Sequence, residues 1–156
     1  MTAIEPIIVP AGQRQSFALA GSAFHLIARG RHTGGQFALY ETEAPPGCGS
    51  AAHVHSRESE SFLVLEGALT VEWDGRSVTL QAGDFVTFPA GCVYGFRNRS
   101  AQAARFLTIV VPGGLDDFLA SVGEPLAAGA APRTSTQADA ERVVREARHY
   151  GVEYPE

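Results

Sequence analysis

Gly47-Cys48-Gly49-Ser50-Ala51-Ala52-His53-Val54-His55-Ser56-Arg57-Glu58-Ser59-Glu60-Ser61-Phe62-Leu63-Val64-Leu65-Glu66-Gly67 is the stretch that decides how this chain folds. His53 and His55 flank a single valine, so on an extended strand both imidazoles leave the same face. Residues 56–59 are polar and can turn the chain, which lets Glu60, at the head of the next strand, aim its carboxylate at the same two rings. Two imidazoles and one carboxylate on one face are the donors of a facial triad, which holds a divalent metal and leaves coordination positions open. A lone His-x-His pair is common on exposed strands; the glycines that frame this one distinguish it. Alternation from Glu60 carries Phe62 and Val64 to the ligand-bearing face.

Outward from this stretch, the chain is a series of short apolar or alternating runs broken by Gly, Pro, Asp and Ser every eight to twelve residues. That is the pattern of an antiparallel barrel or sandwich. Strands are expected over 24–28, 36–42, 52–55, 61–65, 69–73, 78–80, 85–88, 93–97 and 106–111. Asp74-Gly75 joins two of them and predicts a type I′ hairpin, because that turn needs positive φ at both positions. Gly67, Gly83 and Gly91 fall between runs, where tight turns ask for positive φ, and Pro89 stiffens the approach to the last of these. Beyond Val111 the texture changes. Leu115, Phe118, Leu119 and Val122 recur at helical spacing, and Ala140, Val143, Val144 and Ala147 mark one face of a second helix over 137–150. Thr136 precedes Asp139 by three, a variant of the capping box. Residues 124–135 read as a surface connection, and the C-terminal segment is expected on the outside of the barrel.

Composition narrows the classes of function. The chain has 156 residues, 45% of them apolar, which suits one domain with one core. Net charge is −5 with the arginines scattered singly, so the footprint of a nucleic-acid binder is missing. No apolar run approaches the roughly 20 residues of a membrane span, and residues 1–10 lack a signal-peptide pattern, so a cytoplasmic protein is expected. All 12 basic residues are arginine. Without lysine there is no Schiff-base catalysis, pyridoxal phosphate anchor or Walker lysine. Cys48 and Cys92 are too few for a disulfide framework; two reduced thiols near turns are expected, and a bridge between them stays open.

With its flanks, the chain reads Gly47-x5-His53-x-His55-x4-Glu60-x6-Gly67 and, 15 residues on, Gly83-x5-Pro89-x-Gly91-x2-Tyr94-x3-Asn98. This resembles the two motifs of the cupin superfamily, matching every fixed position except one: Tyr94 stands where the family pattern has its third histidine. The wider sequence is similar to the quercetinase-like monocupins through Thr33-Gly34-Gly35-Gln36-Phe37, Ala44-Pro45-Pro46-Gly47, Phe62-Leu63-Val64-Leu65-Glu66-Gly67 and Pro112-Gly113-Gly114-Leu115. The resemblance implies an all-β fold, a double-stranded β-helix or jelly-roll barrel over about 24–111, with a short helical extension over 113–156 in one domain spanning 1–156. It also implies a divalent metal ion, Fe, Mn, Ni, Co or Zn, held by His53, His55 and Glu60 with Tyr94 facing it. The implied activity is that of a dioxygenase-like oxidoreductase acting on a small aromatic or enolic compound, with Glu60 and Tyr94 in catalytic positions.

Two other classes stand beside that one: a small-molecule-binding cupin without turnover, and a non-redox isomerase or cyclase that uses the metal as a Lewis acid or Tyr94 as an acid. Tyr94 itself has two open chemistries, since a cation can recruit the phenolate or the phenol can stay protonated as a hydrogen-bond donor. Alternation from Tyr94 adds Phe96 to the inner face. A homodimer is expected from the resemblance and from residues 4–9, which are apolar and have no partner strand of their own. Glu58 is read as solvent-facing, Glu66 as meeting water, Arg97 and Arg99 as outward charges, and His25, His32 and His149 as ordinary half-exposed histidines.

Overall fold

A computed structural model describes residues 5–156. Its strands and helices run β1 (Ser16–Leu19), β2 (Ser22–Ala28), β3 (Ala38–Ala44), β4 (Gly49–His55), β5 (Ser59–Glu66), β6 (Ala68–Trp73), β7 (Arg76–Gln81), β8 (Phe85–Phe88), β9 (Val93–Arg97), β10 (Ala104–Val111), α1 (Leu115–Val122), β11 (Glu124–Pro125), α2 (Gln137–Ala147) and β12 (Val152–Glu153). They build two antiparallel sheets, one in the order β11-β1-β2-β3-β10-β5-β8 and the other β12-β4-β9-β6-β7. The sheets face each other as a jelly-roll, and among the described residues no strand pairing closes them into a continuous barrel.

Local chemistry accounts for the turns. Asp74 and Gly75 have φ of 46° and 70°, the hairpin geometry their sequence demands, and β6 pairs with β7 across them. Gly67 is required twice over: its φ is 74°, and a Cβ there would come within 2.6 Å of the Ala103 carbonyl oxygen. Cys48 and Cys92 are free thiols.

The expected strands are all present, with β4 beginning three residues early, at Gly49. Strand β1 was not expected. It pairs with β2 through Ala20-Gly21, whose φ values of 50° and 78° put an alanine in the left-handed region, a place its residue type does not advertise. The connection at 124–135 contributes Glu124 and Pro125 to the sheet edge beside β1. Helix α1 matches its expected bounds, while α2 stops at Ala147 and finishes in a 3₁₀ turn, Arg148–Tyr150. Ile4 lies outside the described residues; Ile7 and Ile8 are exposed on a segment without strand structure.

The core corrects one expectation outright. Between the sheets lies a cluster built on Phe62, Val64, Leu69, Val71, Phe88 and Phe106. A second cluster joins Leu26, Tyr40 and Val110 of the sheet to Phe118, Leu119, Val143 and Val152 of the C-terminal segment. That segment therefore does not lie outside the jelly-roll: α1, α2 and β12 plug one end of it. The inner face of the larger sheet is apolar at that end, and the apolar stripes of both helices need a surface to cover. No helix among the described residues is long and apolar enough to cross a membrane.

Candidate metal centre

His53 and His55 stand on β4 in the smaller sheet, and Glu60 on β5 in the larger one. Residues 56–58 cross from one sheet to the other, so the two ligand-bearing strands face each other across the interior. A register irregularity between Ser50 and His53 sets the histidine parity inward, with His53 opposite Tyr94 of β9. All three candidate ligands are buried, and one donor atom from each lies within 4.8 Å of the others. Ligands bonded to a common ion at about 2.1 Å stand roughly 3 to 4 Å apart, so small side-chain rotations suffice to close the set.

The hydrogen bonds prepare these donors. His53 Nδ1 lies 2.8 Å from the Ala51 carbonyl oxygen, which can only accept, so Nδ1 carries the proton and Nε2 keeps a free lone pair. His55 Nε2 sits 3.3 Å from Glu60 Oε2 and Nδ1 sits 3.8 Å from Glu58 Oε2, yet neither nitrogen has a partner in hydrogen-bond geometry. A buried imidazole with both nitrogens unpartnered is costly without a ligand. Glu60 is held from two sides: the Tyr40 hydroxyl donates to Oε1 at 2.7 Å, and the Tyr94 hydroxyl donates to Oε2.

Charge follows from these contacts. Burial alone would raise the Glu60 carboxyl, but His55, His53 and the Tyr40 hydroxyl outweigh it and hold the group below its ordinary value. Burial opposes a charged His55, and the Glu60 and Glu58 carboxylates overcome it, so its pKa is raised. At His53 burial prevails over Glu60, and the pKa falls. Burial, reinforced by Glu60, puts the Tyr40 phenol well above its usual range, so it remains a donor.

Several sequence expectations can be placed. Phe96 lines the cavity above the cluster, whereas Phe62 and Val64 sit behind it in the core. Tyr94 is buried, its ring stacked on Phe88 at 3.7 Å, and its hydroxyl meets Glu60, so it reaches the site through that carboxylate. Glu58 does not face solvent. It is 5% exposed, and burial raises its pKa: although the crossover at 56–58 is not extended, it packs inward and brings Glu58 Oε2 to 3.8 Å from His55 Nδ1. Glu66, Arg97 and Arg99 are exposed, and His25 is half-buried with Nδ1 2.7 Å from Ser16 Oγ. Sequence reasoning missed Tyr40, Ser22 and Tyr154, which join the cluster and the helices in lining a cavity of about 80 Å³.

Comparison with known proteins agrees with this geometry. A family model for the cupin domain matches residues 40–110, from Tyr40 on β3 to Val110 on β10, and encloses the whole cluster. Residues 40–110 are thus similar to a cupin domain. The chain is 29% identical over 120 residues to quercetin 2,3-dioxygenase of Bacillus subtilis, a match covering 77% of the chain and 35% of that relative. The chain thus spans about a third of the length of the curated relative it matches. Among solved structures, a predicted oxalate decarboxylase from Thermotoga maritima is similar with a TM-score of 0.60 and 18% identity, covering 68% of this chain and 99% of that one. A sugar phosphate isomerase of the cupin superfamily from Silicibacter pomeroyi has a TM-score of 0.51 and 30% identity, over 58% of this chain and 59% of that one. Their names carry three different chemistries, so activity must be argued from the site.

Proposed function

We propose that this cupin holds one divalent cation on His53, His55 and Glu60 and is a dioxygenase-like oxidoreductase acting on a small enolic or aromatic compound. One observation carries the reading: three buried donors from opposing sheets converge, and both nitrogens of His55 face carboxylates outside hydrogen-bond geometry. The donor set, two imidazoles and a carboxylate, suits iron, manganese, nickel, cobalt or zinc. A bound redox-active cation supplies Lewis acidity and electron transfer that the side chains lack. The oxygen-dependent direction rests on the likeness to quercetin 2,3-dioxygenase.

The side chains divide the remaining work. Two neutral imidazoles and one carboxylate bring a single negative charge to a dication, so the centre stays net positive and draws an enolate or phenolate oxygen. Phe24, Phe96 and Phe118 wall the cavity, exclude water and strengthen that attraction. Tyr40 and Tyr94 fix the Glu60 carboxylate from both sides. Tyr94 is thus a positioning residue, and its phenol stays protonated while it donates to Glu60. A homodimer belongs to the same reading, with a second copy covering Ile7 and Ile8.

Tyr94→Phe is expected to fold normally and bind the cation about 10- to 100-fold more weakly, the usual cost of losing an outer partner of a ligand. Competition with a chelator of known affinity checks this, and unchanged affinity would show that the hydroxyl does not position Glu60. Oxygen uptake tests the activity. Metal-dependent consumption of dioxygen with an enolic substrate supports the oxidoreductase, turnover without oxygen would replace it with the isomerase or cyclase, and ligand binding without turnover would leave a binding protein.

A further inference from the structure

Residues 151–154 run alongside the cluster. Gly151 is left-handed, with φ of 74°, and its carbonyl accepts from the Ser56 backbone N–H at 2.8 Å and the Ser56 hydroxyl at 2.9 Å. This tether turns the chain from the end of α2 back along β4, with Val152 opposite His55 and Glu153 opposite Val54. The next residue, Tyr154, arrives beside His53: their ring centroids lie 5.6 Å apart, with the planes inclined by 32°.

Size is the second observation. The cavity over the cluster measures about 80 Å³, whereas an apolar cavity of about 150 Å³ is what accommodates benzene. Leu115, Phe118, Leu119 and Val143 wall the cavity from inside the packed core, and they cannot withdraw without opening it. Tyr154 differs from them, being half-buried and beyond the last strand pairing. Chemistry is the third observation. Ser22, 2% exposed, lines the same cavity, and its hydroxyl has no partner, so a polar group on the ligand has a place to bond away from the cluster.

We infer that Tyr154 sets the size limit of the site: its ring closes the cavity beside His53, so the cavity takes a compact oxygen chelator of the enediol or hydroxy-acid class and excludes the same chelating group on an aromatic body. This rests on the metal reading above and narrows it to its enolic branch. Tyr154 acts by shape, through its ring rather than its hydroxyl, and the polar end of a bound ligand meets Ser22.

The test titrates the cobalt(II)-loaded protein with acetohydroxamate and with benzohydroxamate, which share one chelating group on a methyl or a phenyl body, following the visible cobalt bands. The wild-type protein is expected to favour acetohydroxamate by about 10-fold or more, the scale on which a pocket rejects excess bulk. Tyr154→Ala should bind benzohydroxamate about 10-fold more tightly than wild type while acetohydroxamate changes little, and Tyr154→Phe, which keeps the ring, should retain the wild-type ratio. Equal affinities in the wild type, an unchanged ratio in Tyr154→Ala, or a lost preference in Tyr154→Phe would each overturn the inference alone. Failure of the wild type to take up cobalt would overturn the metal reading, and this inference with it.

Discussion

His55→Ala and Glu60→Ala are each expected to lower divalent-metal affinity by at least about 10²-fold, since structural sites bind with roughly 10 to 16 kcal/mol shared among about four ligands. The cluster found among the described residues has three protein donors, so losing one leaves two. Glu60→Ala has a second consequence, because it leaves the Tyr40 and Tyr94 hydroxyls buried without their acceptor. His55→Ala is therefore the cleaner probe, removing an imidazole whose nitrogens hold no hydrogen bond. Glu66→Ala is the control, as Glu66 is exposed and pairs with Arg105 outside the cluster. Equilibrium dialysis against a metal buffer reads the effect. Wild-type affinity in His55→Ala would remove that residue from the ligand set.

Phe62→Ala is expected to cost about 3 to 5 kcal/mol of folding stability, the range for truncating a buried aromatic ring. Phe62 is 1% exposed and packs against Phe106, Phe88 and Phe96, with ring centroids 5.0, 5.5 and 5.5 Å away. Its neighbours belong to β10, β8 and β9, so the void opens between the two sheets, where neither can collapse far without moving the ligand strands. Urea unfolding of metal-free protein gives the value. A loss below about 1 kcal/mol would mean that the inter-sheet core is not packed as described.

Much of the site was legible in the sequence because its decisive features are short in range. His53 and His55 share a face through a period of two, Glu60 follows one crossover later, and both facts survive without knowledge of the fold. Helix α1 announced itself by four apolar residues at helical spacing, and the Asp74-Gly75 hairpin by its demand for positive φ. What escaped depends on long-range placement. Tyr40 meets Glu60 because β3 and β5 both flank β10, where Tyr40 lies opposite Thr108 and Glu60 opposite Val110. Parity gives the face of a strand but not its neighbours. The C-terminal helices showed apolar stripes without showing what those stripes cover, and nothing local marks Tyr154 as a wall beside His53. Glu58 escaped because it shares the parity of Glu60 only on an extended chain; residues 56–58 are a crossover, and its burial comes from packing beside His55, which parity does not show.

The central claim is that His53, His55 and Glu60 form a working metal site although Tyr94 stands where the family pattern has a histidine. Elemental analysis of wild-type protein, purified without chelators and without a metal-carrying tag, tests it most directly. About one divalent transition metal ion per chain is expected, either as purified or after reconstitution. Protein that is free of metal and resists reconstitution with iron, manganese, nickel, cobalt and zinc alike would contradict the claim.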